Sequence, residues 1–224
     1  MSFADSPLLI PVARWHLCEP GVAPPDVGFV EPLLRRRLSG LAKMTLCAAN
    51  ACAAGAPGAS LVFASRHGEL ARTTALLESL ADGEPLSPAL FSLSVLNASL
   101  GVFSILQGNT APATAISAGG ASFGYGLLDA CLRLADEPGR PVLYVYADEP
   151  APGVYGEVDG PEAEAHALGL LLSAEAGRRV ACSVDESGEP ASAEAQSRAF
   201  VRCLEEGRAE WRGLGKRWRW ERSA

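Results

Sequence analysis

Apolar and polar residues follow two rhythms along this chain, one typical of helices and one typical of strands. Apolar residues recur at helical spacing in five stretches, and short apolar runs bounded by Gly or Pro indicate buried strands. The predicted helices cover residues 31–54, 69–80, 95–106, 122–135 and 191–206, and the predicted strands cover 61–64, 141–147, 167–173 and 179–184. Strands that alternate with helices predict an α/β layered fold.

The two ends of the chain and one link between strands follow other patterns. Prolines crowd the first 25 residues, which excludes a long helix there and predicts an extended N-terminal segment. The short link Glu175–Gly177 predicts a hairpin between the last two strands. Trp218 and Trp220 alternate with Arg219, which favours a short strand that buries two indoles. Interleaved Trp and Arg are also typical of single-strand nucleic-acid binding, or of docking to a partner or an acidic carrier protein.

The composition of the chain argues against nucleic-acid binding and against a membrane protein. A chain of 224 residues with 48% hydrophobic and 20% charged residues is expected to fold as one domain. A net charge of -7 argues against nucleic acid as a partner, because phosphate binding depends on clustered Lys and Arg. No apolar run approaches the ~20 residues that cross a bilayer, and the start lacks a basic leader, so we expect no membrane span and a cytoplasmic protein.

The six cysteines show no CxxC spacing, and several lie in Ala/Leu-rich surroundings. We therefore expect buried free thiols, no metal site and no cofactor.

The most informative stretch is residues 97–121, NASLGVFSILQGNTAPATAISAGGA. It resembles, without a gap, the β-ketoacyl synthase pattern N-x-x-x-G-x-x-S/T-I-x-x-G, then G-P, then I-S-x-A-C. In that family the final Cys is the acyl-accepting nucleophile at a sharp strand-to-helix turn. Here Gly120 takes its place, flanked by Gly119, Ala121 and Ser122.

The chemistry of such a turn follows from its backbone. A strand that runs directly into a helix gathers backbone N–H groups and the positive end of the helix dipole at one point. A thiol there is activated as thiolate, and backbone donors can hold an oxyanion. Because glycine has no side chain, Gly120 cannot carry an acyl group, and we expect no catalytic residue in this chain.

The resemblance covers roughly residues 30–185 and implies a thiolase-like fold. It implies the N-terminal half of a ketoacyl synthase, with a mainly parallel sheet flanked by helices. We therefore divide the chain into an extended N-terminal segment (1–30), a ketoacyl-synthase-like domain (31–190) and a C-terminal helix with a Trp/Arg-rich tail (191–224).

Departures from the family point to a partner. Active synthases have a second half with two His motifs, H-G-T-G-T-like and N-x-x-F-G-F-G-like, and neither occurs in this sequence. Loss of the nucleophile resembles chain length factors of type II polyketide synthases, and the short form resembles subunits of aryl-polyene pathways. This implies a heterodimer with a full-length β-ketoacyl-ACP synthase, which meets acyl carrier protein through the complex.

The resemblance also suggests which residues meet the partner's acyl tunnel or interface. They are Asn97, Leu100, Phe103, Ser104, Ile116, Ser117 and Phe123. Half a thiolase unit is expected to leave an apolar face uncovered, which favours an obligate or near-obligate heterodimer.

Two other classes of function stay open at this point. One is a stand-alone acyltransferase or hydrolase that uses Ser117, Ser122 or Cys131, although no His lies near these residues in sequence. The other is an acyl-binding scaffold. His67 is expected to make local ion pairs rather than to act as a base, and Glu162, Glu164 and His166 are expected to face solvent.

Overall fold

The computed structural model describes residues 7–155, 158, 159 and 163–223, and within them eight strands form one sheet. The strands are β1 (Leu8–Cys18), β2 (Ser60–Ala64), β3 (Ala113–Ile116), β4 (Val142–Asp148), β5 (His166–Leu172), β6 (Arg178–Glu186), β7 (Arg208–Gly213) and β8 (Lys216–Arg222). The α-helices are α1 (Pro32–Arg35), α2 (Gly40–Ala53), α3 (Leu70–Ala81), α4 (Pro88–Phe91), α5 (Ala98–Leu106), α6 (Ser122–Asp136) and α7 (Gln196–Glu206).

The strand order is β3-β2-β4-β5-β1-β6-β8-β7. Strands β3, β2 and β4 run parallel, and the five remaining pairings are antiparallel. The expected α/β fold with helices on the sheet is confirmed. Its mainly parallel character is not, because parallel pairing is confined to one end of the sheet.

The predicted hairpin between β5 and β6 is wrong. Strand β1 lies between them and pairs antiparallel with both, changing partner at Val12, which faces Leu172 on one side and Arg178 on the other. Strands β5 and β6 therefore point the same way on opposite sides of β1. Residues 8–18 of the predicted extended segment form β1, and Pro11 lies beside the bulge between Val12 and Arg14, an irregularity that tolerates proline.

The helix predicted over residues 31–54 is interrupted. Ser39 is extended, and its hydroxyl accepts a hydrogen bond from the Ala42 N–H at 2.9 Å, which makes it the N-cap of α2. A Ser-Gly pair favours such a cap over a continuous helix. Late in α2, Ala48 and Cys52 are fully buried against Gly169 of β5, where a Cβ would lie 2.5 Å from the Ala48 carbonyl oxygen.

Two apolar cores lie on opposite faces of the sheet. One contains α6, α7 and side chains such as Val62, Tyr144 and Leu170, and the other contains α2, α5 and side chains such as Phe63 and Val145. Neighbouring residues of β2 and β4 point to opposite cores, so both strands are buried throughout. This sandwich fixes the carboxyl ends of the parallel strands, where the turn at Gly120 lies.

The C-terminal segment follows the predicted alternation. Trp218 and Trp220 of β8 are each 1% exposed and face the core with α6 and α7, whereas Arg219 faces the other side and pairs with Asp185. The strand interpretation of the tail is thereby confirmed. No helix among the described residues is long and apolar enough to cross a membrane.

Candidate functional site

The turn between β3 and α6 has the strand-to-helix form that the sequence predicts. A single 3-10 turn, Gly119–Ala121, follows two residues after β3 and leads directly into α6. Gly119 has a φ of +57°, a left-handed conformation that favours glycine. Gly120 is exposed, and a Cβ built there meets no atom within 4 Å. Open space at position 120 means that packing does not demand a glycine there.

Ser122 holds the turn together. Its hydroxyl accepts a hydrogen bond from the Ala118 N–H at 2.8 Å and donates one to the Gly119 carbonyl at 2.7 Å, and its side chain is buried. The Ser117 hydroxyl donates to the Arg66 carbonyl at 3.1 Å. None of the three histidines, all of which are described, makes a hydrogen bond to either serine. Neither serine therefore has the base that a nucleophilic hydroxyl requires.

Helix α6 is locked into the core behind the turn. A Cβ at Gly126 would lie 2.7 Å from the Ala64 Cβ, so the helix packs directly on β2. The Phe123 carbonyl accepts a hydrogen bond from the Tyr144 hydroxyl at 2.6 Å, and the Gly124 N–H donates to the Gln196 Oε1 at 2.7 Å. Gln196 belongs to α7, so one helix caps the first turn of the other.

A cleft of about 320 Å³ opens beside Gly120. The carboxyl end of β4, the amino end of β5 and the starts of α6 and α7 surround it. Its wall includes Arg66, Tyr146, Asp148, Glu149, His166 and Gln196. The Asp148 carboxylate accepts hydrogen bonds from the Ser65 hydroxyl and the His67 N–H, both at 3.1 Å, and burial raises its pKa. Burial, together with the nearby charges of Glu69 and Asp148, also raises the pKa of Glu149.

His166 and Ser197 form a buried pair at the inner side of this cleft. The His166 Nδ1 lies 2.9 Å from the Glu164 carbonyl, which can only accept, so Nδ1 carries the proton. The Nε2 then accepts a hydrogen bond from the Ser197 hydroxyl at 2.7 Å. Burial lowers the pKa of His166 and keeps the ring neutral. Ser197 itself is 1% exposed, which closes it to a substrate.

The expectation that His166 faces solvent is wrong. The ring is buried, and its Nε2 accepts the hydrogen bond of the buried Ser197 hydroxyl. Glu164 is exposed as expected, and Glu162 lies outside the described residues. His67 contacts a carboxylate that is far away in sequence, so the expected local ion pair is not what the structure shows. Its Nε2 lies 2.8 Å from Asp159 Oδ1, which also pairs with Arg66 Nη1 at 2.7 Å.

The residues predicted for the partner tunnel fall into two groups. Asn97 and Ser117 are exposed and Ser104 and Ile116 are half-buried, whereas Leu100, Phe103 and Phe123 lie in the cores. Asn97 and Leu100 line a small cavity between α5 and β3, and Phe103 lines a larger one near the amino ends of the parallel strands. The structure does not bring these seven residues to one point.

The cysteines are free, and five of them are buried as expected, while Cys47 is half-buried. Burial raises the pKa of Cys131 to about 12, which makes it a poor nucleophile. Among the described residues, no group of three or more His, Cys, Asp or Glu side chains could hold a metal ion.

Sequence reasoning missed Asp148 and the His166–Ser197 pair. Asp148 directly follows the predicted strand 141–147, and the carboxyl end of a parallel strand is a common position for functional side chains. The position of Asp148 after this strand could therefore have identified it from the sequence. No sequence signal joins His166 to Ser197, which are 31 residues apart and meet only through the fold.

Comparison with known proteins identifies relatives of this arrangement. The family model "Beta-ketoacyl synthase, N-terminal domain" matches residues 13–221. A solved structure, the ketosynthase ApeO in complex with its chain length factor ApeC from Xenorhabdus doucetiae, matches with 28% identity and a TM-score of 0.81. That match covers 96% of this chain and 99% of the other.

Two more distant structures share the fold. The ishigamide ketosynthase/chain length factor matches with 16% identity and a TM-score of 0.58, covering 88% of this chain and 73% of the other. A β-ketoacyl synthase from Burkholderia phymatum STM815 matches with 12% identity and a TM-score of 0.56, covering 90% and 62%. The thiolase-like ketosynthase fold expected from the sequence is thereby confirmed. A search of curated proteins found no match.

Proposed function

We propose that this chain, which belongs to the β-ketoacyl synthase N-terminal domain family, is a non-catalytic, chain-length-factor-like subunit. Its partner in the proposed heterodimer is a full-length β-ketoacyl-ACP synthase of a fatty-acid or polyketide-like pathway of the aryl polyene type. The chain completes the dimer and shapes the acyl tunnel, and acyl carrier protein reaches it through the complex. A cytoplasmic location is part of the same proposal.

The observation that carries the proposal is the empty position at Gly120. The strand, the left-handed Gly119, the Ser122 hydrogen bonds and the buried α6 form a complete nucleophile turn, yet no side chain extends from position 120. A turn of this form without a nucleophile cannot form an acyl-enzyme. It can still present backbone donors and the helix dipole to a neighbouring molecule.

The exposed edge of the sheet at β3 supports pairing with another subunit. Strand β3 has β2 as its one neighbour, so its outer edge offers unpaired backbone groups within the described part of the chain. Two helices flank it, and each presents an apolar side chain to solvent, Ile105 of α5 at 80% exposure and Leu132 of α6 at 67%. We call β3, Ile105 and Leu132 the β3 edge surface.

The ApeO–ApeC complex supports the same proposal. That complex joins a ketosynthase to its chain length factor, and one of its chains matches this chain over almost the whole length of both. Among the residues predicted to meet the partner, Asn97, Ser104, Ile116 and Ser117 are accessible, and we propose that they make direct contacts. Leu100, Phe103 and Phe123 are buried, and we propose that they contribute indirectly by holding α5 and α6 in position.

The rival function, a stand-alone acyltransferase or hydrolase, finds less support. Ser122 is committed to the turn, Ser117 has no base, and the Cys131 thiol is buried. The Ser197–His166 pair has the atoms of a nucleophile and a base, but Ser197 is buried. Because the pair could still react if Ser197 became exposed, Ser197 is included among the residues to be tested. A stand-alone acyl-binding scaffold would bind acyl chains without a synthase.

An acyl-loading experiment tests catalytic silence. The chain and a full-length β-ketoacyl-ACP synthase are incubated, singly and together, with acyl-ACP, and the intact mass of each protein is measured. We expect the acyl group on the synthase only. Ser117→Ala, Ser122→Ala, Ser197→Ala and Cys131→Ala serve as matched variants. An acyl group on this chain alone, removed by one of these substitutions, would show the rival function instead.

A further inference from the structure

A cluster of two thiols and an imidazole lies on the face of the sheet that α2 covers, away from the β3 edge surface. His16 and Cys18 are two residues apart on β1, so both side chains point to the face that α2 covers. Cys47 of α2 packs on the same core as Cys18. The sequence positions give no hint of this cluster, because Cys47 is 31 residues from His16.

The contacts within the cluster are close. The Cys47 sulfur lies 4.0 Å from the His16 Nε2, and Cys18 lies close enough to Cys47 for this neighbour to contribute to the raised pKa of Cys18. Cys18 is 4% exposed, whereas Cys47 and His16 are both half-buried and so keep part of their surface in solvent. The chain thus holds an accessible thiol, a base beside it and a second thiol behind it.

We propose that Cys47 and Cys18 form a redox-active dithiol, an oxidative modification site in which Cys47 attacks first and Cys18 resolves. The oxidant is a low-molecular-weight disulfide such as oxidised glutathione. The cluster is separate from the turn at Gly120, so this inference does not depend on the partner-subunit role.

The reaction balances as two thiol–disulfide exchanges. His16 takes the Cys47 proton, and the Cys47 thiolate attacks one sulfur of the glutathione disulfide, whose other half leaves as a thiolate and is protonated. The Cys18 thiol then loses its proton and attacks the Cys47 sulfur, expelling the second glutathione. Two protein thiols are oxidised to one disulfide, and one glutathione disulfide is reduced to two molecules of glutathione.

The order of attack follows from burial. Burial, with the neighbouring Cys47 as the next contribution, raises the pKa of Cys18 to about 12, so its thiol is a poor first nucleophile. The accessible Cys47 beside His16 is the better one. In a reducing cytosol both thiols stay reduced, and transient disulfides of this kind are typical of redox sensing. The crosslink would join β1 to α2.

The test uses the folded full chain with oxidised glutathione, followed by alkylation and peptide mapping by mass spectrometry. We expect the wild-type protein to lose two hydrogens and to yield one crosslinked pair, the peptides of Cys18 and Cys47. Cys18→Ser should stop at a mixed disulfide, with one glutathione on Cys47. Cys47→Ser should stay free of glutathione at Cys18, and His16→Gln should slow the reaction several-fold.

Cys52→Ser is the matched control, since Cys52 lies on the same helix but faces the sheet, where burial raises its pKa to about 12. This variant should crosslink at the wild-type rate. Free thiols at both Cys18 and Cys47 after oxidation would overturn the proposal. A different crosslinked pair, or a Cys18–Cys47 crosslink that forms only in denaturant, would overturn it as well.

Discussion

The two edges of the sheet, β3 and β7, differ in how their backbone groups are protected. The N–H and C=O of Arg212 in β7 both bond to Ser192, and Arg212 also pairs with Glu189 and Glu210. Strand β3 has four residues, none charged, and no such cover among the described residues. Charged, covered edges resist pairing with another chain, and bare edges invite it. The difference teaches that one end of this sheet is closed and the other is open to a partner.

The largest effect is expected from removal of the Trp218 indole, which tests how β8 packs at the closed end of the sheet. Trp218→Ala should lower the free energy of unfolding by about 3–5 kcal/mol, because it empties the space between α6 and β8. Arg219→Ala, one residue along and on the opposite face, should cost no more than about 1 kcal/mol, the value of an exposed ion pair. Urea denaturation measures both. Equal losses would mean that the alternation along β8 is wrong.

Charges on the β3 edge surface should weaken binding of the partner at the open end of the sheet. Ile105→Asp combined with Leu132→Asp should weaken binding to the synthase by about 2–4 kcal/mol, roughly 30- to 1000-fold in Kd, because two carboxylates would be buried at the interface. Surface plasmon resonance measures the affinity. Val22→Asp, at an equally exposed apolar residue in the loop after β1, and Arg212→Glu on β7 are the controls, and neither should change the affinity more than about twofold. A similar loss in the controls would remove the distinction between the two edges.

A pH titration examines the cleft beside Gly120, whose lining also includes Trp211 of β7. Burial lowers the pKa of His166 below 6.5. Below pH 6.5 the His166 ring therefore binds a proton in the unfolded chain but stays neutral in the folded chain. The free energy of unfolding falls as the pH drops. The slope is at most about 1.4 kcal/mol per pH unit and ends at the folded pKa.

Buried Asp148 contributes with the opposite sign, because its pKa is raised. The His166 contribution is isolated by subtracting the stability profile of His166→Gln from that of the wild-type protein. An unchanged difference between pH 7 and pH 5 would show that His166 is not held neutral.

The smallest expected effect is at the turn itself. Gly120→Cys should change the free energy of unfolding by no more than about 0.5 kcal/mol, because nothing lies within 4 Å of the new Cβ. Gly119→Cys should cost about 1–2 kcal/mol, because its φ of +57° strains any L side chain. Thermal unfolding compares them. Gly120→Cys alone should not condense acyl groups, and condensation by this variant without a synthase would contradict the proposed division of labour.

Patterns that depend on neighbouring residues were readable from the sequence. Strand β4 is a continuous apolar run, β8 alternates Trp with Arg, and the turn before α6 has a motif of fixed spacing, so these elements could be predicted. The insertion of β1 between β5 and β6 could not, because a five-residue link suggests a hairpin unless the distant N-terminal strand is known to intervene.

Side-chain clusters built from distant segments were equally hidden. The acidic residues before His166 predict a solvent-exposed ring, yet the ring is buried and its partner Ser197 comes from α7. The same holds for His16, Cys18 and Cys47, which β1 and α2 bring together. Spacing along the chain predicts local structure and motifs, whereas such pairs depend on which strands become neighbours.

The most direct test of the proposed subunit role is native mass spectrometry of this chain co-expressed with a full-length β-ketoacyl-ACP synthase, with an affinity tag on this chain alone. The account predicts a single species with the summed mass of one copy of each protein, and its loss in the Ile105→Asp, Leu132→Asp variant. A tagged chain that purifies as a stable monomer beside free synthase would contradict the account.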